Sequence, residues 1–120
     1  MDYEAYIEEL AKGFSKDDTI LLAELYKRHR ECKRIAKGTK EATFRSEMSI
    51  REVSELTGIT PTKTRRVLSK LAFSKMAEMK KFDHSYTYAI TRNGTCALKA
   101  LLAGKGAPDR KALIEKVLED

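Results

Sequence analysis

Residues 61–72, PTKTRRVLSKLA, carry the side chains best placed to do chemistry. At 100° per residue, Thr64, Val67, Leu68 and Leu71 share one arc of a helix. Thr62, Arg65, Arg66 and Ser69 share the opposite arc, flanked by Lys63 and Lys70, and the segment holds no acidic residue. The chemistry of such a face is non-covalent recognition of a polyanion. Arginine can bond guanine through two N–H groups, and threonine can pack its methyl on thymine or donate to a phosphate. Ser69 and the lysines suit phosphate better than base edges. A second basic group, Lys80, Lys81 and His84, falls at the predicted tip of a hairpin.

Other constellations carry less. Glu52 and Glu55 are three residues apart, but Glu52 has a capping role. Cys32 and Cys96 are far apart with no CxxC, which argues against a disulfide scaffold or zinc module. His29 and Cys32 share an apolar stripe and have no further ligand nearby, so packed positions are expected for them and for Cys96. No nucleophile–base pair, phosphate-binding glycine loop or metal cluster appears. The expectation is therefore no enzyme, no metal site and no cofactor. The aromatic residues Tyr3, Tyr6, Tyr26, Phe44, Phe73, Tyr86 and Tyr88 are scattered, and core packing is expected of them rather than stacking on single-stranded bases.

The elements that position the basic face can be read from periodicity and caps. Residues 3–12 read as an amphipathic helix, with Ile7 and Leu10 on one side and Glu4, Glu8 and Glu9 on the other. Asp17 and Asp18 are candidate N-caps for a long helix over 19–36. Its apolar arc holds Leu21, Leu22, Leu25, His29, Cys32, Ile35 and Ala36. Arg30, Lys33, Arg34 and Lys37 share a neighbouring arc and form a second basic patch. Residues 38–48 read as a loop with a short strand at its end. Ser49-Ile50-Arg51-Glu52 matches the S-x-x-E capping box and opens a short helix that ends at Gly58. Thr60 caps the next helix, with Pro61 at its first position. Residues 76–82 and 86–91 alternate as a hairpin around Asp83-His84-Ser85. Thr91 caps a helix to about Ala103, and Pro108-Asp109 opens a last one.

Charge is unevenly spread over the 120 residues, whose total is +6. Residues 1–26 carry −5, residues 27–51 carry +6, residues 52–61 carry −2 and residues 62–82 carry +6. Local basic stripes of this kind are the electrostatic footprint expected for nucleic acid. No run approaches the ~18 apolar residues of a membrane span, and the acidic N-terminus does not read as a signal peptide. A single cytoplasmic domain is expected, with no membrane partner. It comprises residues 1–18 as N-terminal helix and linker, 19–103 as core and 104–120 as C-terminal helix.

Helix, short helix, glycine turn, basic helix and hairpin is the winged helix-turn-helix order. The fold class expected is mainly α with a small β-hairpin wing and extra N- and C-terminal helices. IREVSELTGITPTKTRRVLSKL followed by YTYAITRNG also resembles the winged-helix transcription regulators of the MarR-like type, over roughly residues 20–103. Ile90, Thr91 and Gly94 match that family's Tyr-x-Leu-Thr-x-x-Gly end of the wing, and Arg65 and Arg66 lie where its recognition helix meets DNA. Where the family usually has a glycine before the first wing strand, this chain has Ser74-Lys75. The stretch over 29–48 is also longer and more basic than the family's. The resemblance implies a sequence-specific regulator of double-stranded DNA, with helix 61–72 in the major groove and wing 76–91 on the flanking backbone. It also implies a homodimer, for which the apolar stripes of 3–14 and 108–119 are candidate interfaces. A protein-interaction module and an RNA-binding module are the alternatives. An exposed apolar patch on the basic helix would favour the first. No residues declare an effector pocket.

Overall fold

Helices dominate the chain, and one small antiparallel sheet joins them. The computed structural model describes residues 3–38, 47–82 and 84–119, with side chains for all of these but 35–38 and 82. The elements run α1 (Tyr3–Lys12), α2 (Lys16–Gly38), β1 (Met48–Ser49), α3 (Ile50–Thr57), α4 (Pro61–Phe73), β2 (Ala77–Phe82), β3 (Ser85–Ile90), α5 (Arg92–Leu102) and α6 (Arg110–Glu119).

α2 starts earlier than its acidic pair implied. Its cap is Ser15: the Asp18 N–H donates to Ser15 Oγ at 3.1 Å, and the Ser15 N–H donates to Asp18 Oδ2 at 3.0 Å. Asp18 is thus the third residue of a reciprocal box, not an N-cap. Leu21, Leu22 and Leu25 from the expected apolar arc are fully buried, while His29 and Cys32 are half-buried. The side chains of Ile35 and Ala36, and Phe44 altogether, lie outside the described residues, as does most of the loop expected over 38–48.

The strand expected at the end of that loop is β1. It pairs antiparallel with β3, Met48 opposite Tyr88, giving the sheet order β1-β3-β2. Phe82 pairs with Ser85, so Ser85 belongs to the strand rather than to the turn; Asp83 lies outside the described residues. The longer ladder follows from the strands' pairing right up to the link.

Caps set the remaining boundaries. Ser49 and Glu52 close both halves of the capping box, and Arg28 from α2 bonds the other oxygen of Glu52 at 2.5 Å. Gly58 ends α3 at φ 75°, a left-handed conformation that glycine adopts without a Cβ clash. Ile59 is then gripped from both sides. Its N–H donates to Thr57 Oγ1 and its carbonyl accepts from Ser54 Oγ at 2.6 Å. α4 ends on a different device. Lys75 takes φ 68°, and the Met76 N–H reaches back to the Leu71 carbonyl at 2.9 Å. This is a Schellman-type end with lysine where glycine is usual.

Thr91 ties the hairpin to α5. Its hydroxyl accepts from the Gly94 N–H and donates to the Lys75 carbonyl at 2.6 Å. Gly94 is required by close approach: a Cβ there would stand 2.2 Å from the Met76 carbonyl oxygen and 2.7 Å from Ile90. α6 begins at Arg110, just after the expected Pro108-Asp109.

One core cluster joins Ile7 and Ala11 of α1, Leu21, Leu22 and Leu25 of α2, Val53, Leu68, Leu71, Met76, Tyr88, Leu98 and Ile114 of α6. The buried residues of α1 and α6 thus have an occupant within the chain. Core packing holds for Tyr88 but not for Tyr3, Tyr6, Phe73 or Tyr86, which are exposed. No helix among the described residues is long and apolar enough to cross a membrane.

Candidate nucleic-acid interface

α4 buries Thr64, Val67, Leu68 and Leu71 and leaves its polar arc open. Across that arc, at 100° per residue, Arg65, Ser69, Thr62, Phe73 and Arg66 follow one another over roughly 100°. All five are exposed. The Thr60 side chain and Pro61 cap this helix, so its first turn is firmly set.

The hairpin and the start of α3 stand beside Arg65 and Ser69. Together they enclose an open groove of about 490 Å³, lined by Arg65 and Ser69 of α4, Ser49, Ile50 and Arg51 at the start of α3, and Met79, His84, Ser85, Tyr86 and Tyr88 of the hairpin. Among the described residues, no carboxylate lines it. Three cationic or titratable side chains from three elements therefore converge on one concave surface. Arg51 was not singled out from the sequence. The signal was available: Ile50 and Val53 face the interior, so the second residue of the helix must face out. Its guanidinium also meets Glu55, the two Nε···Oε1 atoms 3.1 Å apart, on the exposed side of α3.

The other predicted residues divide. Thr62 and Arg66 are exposed on the same face of α4 as Arg65. Lys63 and Lys70 sit at its edge and meet acids from α2: Lys63 Nζ is 2.8 Å from Asp17 and Lys70 Nζ is 2.7 Å from Asp18. The absence of acids within the helix therefore did not mean an absence of acids beside it. Alternation along β2 puts Lys81, opposite Tyr86, on the groove side of the sheet, and Lys80, opposite Thr87, on the other. Lys80 points instead toward Glu47 at 3.7 Å.

From the second patch, Arg30 and Lys33 line a different groove together with Arg92 and Lys99 of α5. Arg34 is exposed, and the side chain of Lys37 lies outside the described residues.

An apolar feature also reaches α4. Phe73, one residue past the predicted helix end, is 90% exposed. With Ala72, Lys75 and the half-exposed Met79 it lines a further cleft of about 490 Å³ between α4 and β2.

Among the described residues, no group of three or more His, Cys, Asp or Glu side chains could hold a metal ion. Burial is the main cause that pushes the Cys32 thiol above its ordinary pKa, with Arg28 opposing and Glu31 and Glu47 adding to the rise. A raised pKa keeps the sulfur protonated, the opposite of a reactive thiolate. No family model, curated protein or solved structure matches this chain.

Proposed function

We propose that the chain is a winged-helix protein that binds double-stranded DNA in a sequence-specific way, as a transcription regulator of MarR-like type. α4 acts as the recognition helix in the major groove, and the β2–β3 hairpin acts as the wing on the flanking backbone. The observation that carries this reading is the one groove shared by Arg65, Arg51, Ser69 and His84, which no carboxylate lines among the described residues. Two arginines and a histidine from three elements on one concave face fit a continuous polyanion better than a compact ligand. Thr62, Arg65 and Arg66 supply base readout. Ser69, Arg51, Lys81 and His84 supply phosphate contacts. Lys63 and Lys70, like Arg51 beside Glu55, reach a phosphate by exchanging a carboxylate for it. The homodimer that the resemblance implies would place two such helices on a roughly palindromic site.

Random-site selection on duplex DNA defines the cognate sequence. Arg65→Ala with Arg66→Ala then lowers affinity for that sequence more than for random duplex, by about tenfold or more per lost base contact. Equal loss on both duplexes reduces these residues to phosphate contacts. Binding that is insensitive to salt removes the electrostatic basis altogether.

Phe73 favours a second reading, docking of a protein partner on the α4–β2 cleft. Exposed aromatics beside a cleft are typical anchors of protein interfaces. Phe73→Ser separates the two readings, because it spares the groove with Arg65 and removes the anchor.

A further inference from the structure

The two halves of the second basic groove come from distant parts of the sequence. Arg30 and Lys33 lie on the middle of α2, and Arg92 and Lys99 lie on α5. The groove is about 510 Å³, and among the described residues no carboxylate lines it. Among the described residues, none of these four cations is held in an ion pair; Arg30 lies over the Tyr26 ring at 5.8 Å. Thr91 and Thr95 line the same space at the first turn of α5, whose backbone dipole adds partial positive charge. Four unpaired cations held in one concavity repel one another and are relieved by an anion.

The groove lies away from the α4 face. On α2, Asp17 and Arg28 point to α4 and α3, where they meet Lys63 and Glu52. At 100° per residue, Tyr26 and Lys33 project roughly 160° away from that side. Along the hairpin, the α4 groove runs from the tip at His84 down to Tyr88, whereas the second groove takes the root at Ile90 and Thr91. The two grooves meet the hairpin at different stretches, Tyr88 being the last lining residue of one and Ile90 the first of the other. A duplex seated on α4 thus leaves the second groove open.

We propose that this groove binds the phosphodiester backbone of a second nucleic-acid segment, so that one chain joins two segments. The basic track favours a polymer. Arg30 and Lys33 are followed on α2 by the exposed Arg34, so cations continue past the rim of the groove. The proposal rests on the nucleic-acid reading of the α4 face, and its test separates the two.

The test uses the full chain with donor- and acceptor-labelled duplexes of about 20 bp, read by energy transfer between them, and sedimentation of the same samples. Wild type brings the two labels together. Arg92→Ala with Lys99→Ala abolishes that transfer while changing single-duplex affinity less than about twofold, because backbone contacts at one site do not support the other. Arg92→Lys with Lys99→Arg keeps the charge and keeps the transfer, which guards against a folding defect. Energy transfer that survives Arg92→Ala with Lys99→Ala overturns the proposal. So does loss of transfer accompanied by loss of a protein oligomer seen without DNA, which would make the acidic face of a second copy the occupant. If Arg65→Ala with Arg66→Ala leaves all duplex binding unchanged, the α4 reading fails. If that variant still binds duplex and Arg92→Ala with Lys99→Ala then removes the remainder, the second groove stands by itself.

Discussion

Lys70 Nζ sits 2.7 Å from Asp18 Oδ2, and the Asp18 side chain is only 2% exposed. Asp18 is fixed from two directions, by the Ser15 N–H and by this ammonium. The pair staples α4 to the start of α2 and draws Lys70 toward the scaffold. Lys70 itself is largely exposed, so the pair's Coulombic contribution is small and the cap matters more. Asp18→Ala should therefore cost about 1–2 kcal/mol, the size of a lost N-terminal cap, measured by urea unfolding. A cost near zero would mean that Ser15 suffices.

Lys63 is held in the same way by Asp17, whose side chain is more open than that of Asp18. Asp17→Asn should release it to a phosphate. Duplex affinity at low salt should rise, and the slope of log K against log salt should steepen by about one. An unchanged slope would show that Lys63 never reaches DNA.

Arg51 and Lys80 make a matched comparison. Arg51 lines the groove, while Lys80 lies on the far side of the sheet near Glu47. Arg51→Ala should weaken duplex binding several-fold, on the order of the ~1 kcal/mol of one charged contact. Lys80→Ala should leave it nearly unchanged. The reverse order, read by fluorescence anisotropy, would place the DNA on the other face of the hairpin.

Lys75 stands at φ 68° where a side chain is disfavoured. Lys75→Gly should stabilise the protein by about 0.5–1 kcal/mol, the strain relieved less the entropy glycine adds to the unfolded chain. Gly94→Ala should do the opposite, since its Cβ would meet the Met76 carbonyl, which is backbone and cannot swing aside. A loss of about 3 kcal/mol is expected in thermal or urea unfolding.

Cys32 carries the one resolved shift on a thiol, upward and chiefly through burial. It should react with iodoacetamide more slowly at neutral pH than a free cysteine thiol. A folded pKa above the unfolded one favours the native state at pH values below the unfolded pKa. That contribution is lost as pH rises through the folded pKa. Cys32→Ser should therefore flatten the alkaline limb of the stability curve; an unaltered limb would assign that loss to other groups.

The sequence by itself determined the elements and their ends wherever the deciding contact is local. The Ser49–Glu52 box, the Gly58 turn, the Thr60-Pro61 start and the Thr91 cap each close over three or four residues, so a short window contains both partners. The buried face of α4 and the exposure of Arg65 and Arg66 follow from helical period alone. Asp17 and Asp18 look like caps of α2 in the sequence, but Ser15, three residues before Asp18, is the cap and completes the box. Tertiary structure decided everything that joins distant residues. Asp17 and Asp18 came to Lys63 and Lys70, Arg51 came to Arg65 and His84, and Arg30 came to Arg92. Charge counted along the chain gives the amount of charge in a segment. Which face that charge occupies, and what neutralises it there, depends on how helices pack, and packing is fixed by apolar burial rather than by the charges themselves.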